Sequence, residues 1–199
     1  MGARTPGPRS FDAVVVAQLE TQAWVAYYRR EWPAFLRASV GMVADGFGMT
    51  RRDTLRGAWL VLRANQAWAP VPDNDPQRAQ ALMRRFYSLV VADGDLAFDP
   101  QRAAALEVGW WRAHREHQHD RNVTSDDLVD ALVALYGYVY TVDAHSVHAA
   151  ATSRVEAMDL SDAWVRAGCS RSDPLLSAER RALVASYSAL LDAVERSRV

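Results

Sequence analysis

Apolar residues along this chain recur at three- and four-residue steps, and no stretch alternates apolar with polar for long enough to form a sheet. That pattern predicts an all-α fold: a compact irregular or orthogonal bundle of about seven or eight helices. A first helix is expected over 11–32, with Val15, Leu19, Gln22 or Ala23, Ala26 and Tyr27 in register. Pro33 opens a second, because proline is tolerated in a first turn but not inside a helix, and Gly46 and Gly48 offer its stop. Thr50 with Asp53 caps a third, whose Leu55, Ala58, Trp59 and Leu62 read as an apolar stripe opposite Arg52, Arg56 and Arg63.

The loop WAPVPDNDP interrupts the pattern, and Asp75 with Pro76 then supplies a cap and a first helical residue. The helix that follows should carry Ala79, Leu82, Met83, Phe86, Leu89 and Val90 inward and end at Gly94. The same Asp-Pro device recurs at Asp99 and Pro100, and again at Asp173 and Pro174. Ser125 is the expected cap for a helix with Leu128, Leu132, Leu135 and Val139 inside, followed by a break over 141–144. A closing helix over 178–196 places Leu183, Ser186 or Tyr187, Leu190 and Val194 in register. Residues 1–10, rich in Pro, Gly and Arg, read as a flexible lead, and 11–199 as one helical domain.

Composition narrows the function classes. With 199 residues, half of them hydrophobic, the chain can bury a core without covalent staples. A formal net charge of -1 gives no general attraction to nucleic acid or to an anionic membrane. The run VVVAQL is short and lies between Asp12 and Glu20, so no membrane span is expected there. A single cysteine, Cys169, excludes an intrachain disulfide and any Cys-rich metal site, and suits a cytoplasmic location. All 23 basic residues are arginine. Schiff-base chemistry, lysine-held pyridoxal phosphate and a Walker A lysine are therefore excluded.

Candidate chemistry concentrates between Pro100 and Asp159, which holds all five histidines. On the first helix of this stretch, Trp110, Trp111, His114 and His117 fall within one broad face. After the break, His145 and His148 are three apart and share a helix face, in line with Thr152 and Glu156. Tyr136 and Tyr140 share a groove, whereas Tyr138 is rotated by about 200° from either and points elsewhere. No Glu-x-x-His or His-Glu-x-x-His motif is present, so a metal would have to be held by histidines from separate helices, with a carboxylate such as Glu20 or Glu107.

These residues point to an enzyme or ligand-handling protein for a small organic molecule. Its pocket is expected between the Pro100 helix and the segment from His145 to Asp159. His114 and His148 are the first choices for acid–base chemistry, His145 and His117 the next, and Trp110, Trp111, Tyr136 and Tyr140 the ligand-lining residues. The cofactor stays open between none, a His-bound metal and a haem. The alternative is a noncatalytic helical protein that self-associates, as a homodimer, through the aromatic stripe. A helix-turn-helix role using Arg51, Arg52 and Arg56 ranks below both, because the chain has no basic excess.

Overall fold

A computed structural model describes residues 7–93, 96–120 and 123–197. Among them are eight helices and no strand: α1 Ala13–Tyr28, α2 Trp32–Phe47, α3 Arg51–Trp68, α4 Pro76–Asp93, α5 Pro100–His119, α6 Ser125–Tyr140, α7 Ala144–Arg166 and α8 Leu175–Arg196. Gly94, the expected end of α4, and residues 1–6 of the expected lead lie outside the described residues.

The helix boundaries follow local chemistry. Asp12 accepts from the backbone N–H groups of Val14 and Val15, Asp99 from Gln101, and Asp143 from His145. Each satisfies donors that a first turn leaves unpaired. Asp75 does the same for Arg78, and Asp173 for Leu175. The cap of α6 is Thr124, not Ser125, because Asp127 bonds back to the Thr124 backbone and completes a capping box. Gly48 ends α2 in the left-handed region at φ 63, where a side chain would be strained. Thr141 adopts the same region at φ 54 and makes the break between α6 and α7.

Each helix packs mainly on its neighbours in chain order, and α1 packs on α8, so the eight close into a ring. The main apolar cluster draws on α2 through α8, with Leu128, Leu132, Val147 and Met158 among its fully covered members. Two expected inner faces hold in part: Ala23 and Ala26 of α1 and Ala58 and Leu62 of α3 are buried as expected, and the remainder of each face is rotated. In α1 the consecutive valines hide the phase: Val14 and Val15 are exposed, and Val16, Glu20 and Ala23 point inward. In α3, Leu55 and Trp59 are each 53 % exposed, and Thr54, Gly57, Ala58 and Leu60 form the buried side. Gly57 suits that side, since a Cβ there would meet the Phe86 ring at 3.3 Å.

Candidate functional site

A cavity of about 400 Å³ opens inside the ring. One wall is α5, where Glu107, Trp110, Trp111, His114 and Gln118 follow one another at helical spacing. Tyr136 and Tyr140 of α6, Trp24 of α1 and Trp68 of α3 add further aromatic surface. The rings meet at angles: Trp110 stands edge-on to Trp111 at 6.2 Å between centroids, and Trp111 tilts against Trp68 at 6.0 Å. Such contacts fix large flat side chains around the space.

Three polar groupings are set into these walls. In the deepest, Arg154 of α7 meets Glu20 of α1 through both ends of its guanidinium, with Nη1 donating to Oε2 at 2.8 Å. The Tyr187 hydroxyl donates to the same Glu20 oxygen, and Arg154 lies 5.5 Å from the Trp24 ring centroid and 5.9 Å from that of Trp110. A buried guanidinium holds its charge here because the carboxylate and the ring faces replace the water it has lost.

Glu107 forms the second grouping. It accepts from the Tyr87 hydroxyl at 2.8 Å and from Trp111 Nε1 at 3.1 Å. Burial pushes its carboxyl up from the ordinary range, against the opposing pull of Tyr87 and the Trp110 and Trp111 indoles.

The third grouping joins α5 to α7. His114 Nε2 lies 3.2 Å from Asp162 Oδ2, and Gln118 Nε2 donates to Asp162 Oδ1 at 2.6 Å. The Tyr28 hydroxyl donates to that oxygen at 3.3 Å. Burial raises the Asp162 carboxyl, but His114, Gln118 and Tyr28 outweigh it and hold the group below its usual value. An ionised Asp162 accepts a hydrogen bond from Nε2–H, which in the neutral imidazole leaves Nδ1 as the nitrogen with a free lone pair. Nδ1 has no hydrogen-bond partner among the described residues.

The aromatic expectations and the histidine expectations fare differently. Trp110, Trp111, Tyr136 and Tyr140 all line the cavity, while Tyr138 faces away and accepts a hydrogen bond from the Asp99 backbone at 2.9 Å. Of the four ranked histidines only His114 lines it. His117 is turned toward α7, where Nε2 pairs with Asp159 at 3.1 Å and Nδ1 with the Val123 carbonyl at 3.0 Å. His145 and His148 sit on the exposed side of α7, away from the buried Val147 and Ala150, so they do not join His114. Among the described residues no three His, Cys, Asp or Glu side chains gather closely enough to hold a metal ion.

Arg154, Asp162, Tyr28 and Tyr187 had no place in the sequence reading of the site. Their signal was a polar residue inside an apolar face. Arg154 has Ala150, Ala151, Ala157 and Met158 three and four residues away, and Glu20 has Val16, Ala17 and Ala23. A charge at such a position either spoils the face or has a buried partner.

No family model, curated protein or solved structure matches this chain. The chemistry of the cavity therefore carries the functional reading. Among the described residues, no helix is long and apolar enough to cross a membrane.

Proposed function

We propose that this protein is an enzyme or ligand-handling protein for a small organic molecule with an aromatic or apolar body, bound in the cavity. His114 serves it as an oriented proton acceptor. The observation that carries this reading is the His114–Asp162 pair, 3.2 Å apart, on the wall of an aromatic cavity of about 400 Å³. Pockets for small molecules combine an apolar lining with a few fixed polar groups in this way. An imidazole whose Nε2–H is held by a carboxylate presents Nδ1 in one tautomer, as general-base chemistry requires.

Arg154 and Glu20 give the floor a polar but internally neutral surface, which orients a hydroxyl or carbonyl of the ligand without demanding a charge there. Glu107, which accepts from Tyr87 and Trp111, adds a fixed polar group to the α5 wall. That Trp110 and Trp111 line the cavity supports ligand binding ahead of the self-association alternative.

The test is titration of the wild-type protein with 2-naphthol, followed by tryptophan fluorescence and by the histidine ring resonances in NMR. Saturable quenching is expected, with the His114 ring signal moving and those of His145 and His148 unmoved. The His114 signal is assigned by its loss in His114→Gln. Absence of saturable quenching, or a titration in which only the exposed histidines respond, overturns the reading.

A further inference from the structure

Charge is distributed unevenly around the cavity. At the deep end Arg154 is neutralised by Glu20. At the open end stand Arg30, which is exposed, and Arg115, which is half-buried, beside the exposed Val71 and His119. Among the described residues neither arginine has a carboxylate partner.

Both guanidinium groups act on Tyr27, and Arg30 lies over its ring. Burial raises the Tyr27 phenol, and Arg115 and Arg30 pull it back down through charge and hydrogen bonding. Two like charges drawn to one neutral hydroxyl repel each other, more strongly where protein replaces water. Neutral contacts hold them in place. Arg115 Nη2 donates to the Trp68 carbonyl at 2.8 Å, and its guanidinium carbon lies 4.2 Å from the Trp68 ring centroid. Arg30 Nη2 donates to the next carbonyl, Ala69, at 3.1 Å, with its carbon 5.3 Å from the Tyr27 ring centroid. The Asn74 amide satisfies both its ends when its oxygen faces Arg115 Nη1 at 3.0 Å and its nitrogen faces the Pro72 carbonyl.

None of these contacts cancels charge, and a guanidinium carries five donors, so each group keeps N–H bonds to spare. Oriented arginines with unused donors and no counterion match carboxylate and phosphate, which accept two parallel hydrogen bonds. Resting on the ligand-binding reading above, we propose that the ligand is an organic anion: its aromatic or apolar body fills the cavity, and its carboxylate or phosphate is held at the mouth by Arg30 and Arg115. The two oxyanions share the chemistry of recognition and differ in charge and shape.

The experiment is calorimetric titration of the full chain with 2-naphthoate, 2-naphthyl phosphate and the uncharged 2-naphthamide, in wild type, Arg115→Gln and Arg30→Gln. At least one anion is expected to bind about tenfold tighter than the amide, the equivalent of roughly 1.4 kcal/mol. That preference should shrink with added salt and drop to about threefold or less in each variant. The better of the two anions identifies the group. Equal binding of anion and amide, unchanged in the variants, overturns the anion proposal and leaves the cavity reading standing. No binding of any of the three probes overturns both. Arg115 is tied to the Trp68 backbone and its replacement can unsettle the neighbouring loop, so the exposed Arg30 supplies the second variant. Retention of the full preference in Arg30→Gln with native circular dichroism also overturns the proposal.

Discussion

Glu179 is buried within range of the Glu20 charge, and neither of its carboxylate oxygens has a hydrogen-bond partner. Burial, and after it the charge of Glu20, pushes the Glu179 carboxyl up to about 8. The ordinary value is 4.5, so between those limits the folded protein holds a proton that the unfolded chain has released. Stability therefore falls as pH rises from about 4.5 to about 8.

Glu179→Gln removes the group that titrates while nearly keeping its shape. The variant should be more stable than wild type at pH 8, by about 2–4 kcal/mol, and within about 1 kcal/mol of it at pH 4. Urea unfolding at the two pH values measures this. Parallel pH profiles for the two proteins would show that Glu179 is already ionised in the fold.

The Arg154–Glu20 pair gives a second expectation. Glu20→Gln strands a buried guanidinium and should cost about 3–5 kcal/mol. Adding Arg154→Met to that variant removes the stranded charge, and the double variant should recover at least half of the loss. A double-mutant cycle by chemical denaturation measures the coupling, and strictly additive losses would mean that the two groups do not act as a pair.

Thr141 occupies the left-handed region at φ 54 and ψ 49 with its side chain exposed. A β-branched residue is strained there, whereas glycine is not. Thr141→Gly should therefore stabilise the protein by up to about 1 kcal/mol, less what glycine loses in the unfolded chain. A lower melting temperature for the variant would reveal a stabilising contribution from the threonine side chain.

The parts of the fold legible in the sequence were those set by neighbours in the chain. Asp99 with Pro100 starts α5, and Leu128, Leu132, Leu135 and Val139 form the buried side of α6, as their spacing implied. Phase was lost where apolar residues stand side by side, as at Val14, Val15 and Val16, since any of the three can begin an inner face. Within the site, helical spacing on α5 and α6 was enough to gather Trp110, Trp111, His114, Tyr136 and Tyr140. His145 and His148 share a face as expected, but which way that face turns depends on how α7 lies between α6 and α8. Arg154 and Glu20 meet across 134 residues, a distance that no local pattern spans.

The lining of α5 is written in a single register. Each residue turns the helix by about 100°, so one added or lost residue between Glu107 and Trp110 would swing Trp110, Trp111, His114 and Gln118 away from Glu107 together. The loop over 70–75 is under no such constraint, since a change in its length would alter the rim and leave the wall in phase. Insertions and deletions should therefore be tolerated at the mouth of the cavity and rejected along α5. Size selection can drift by loop length while the chemistry inside stays fixed.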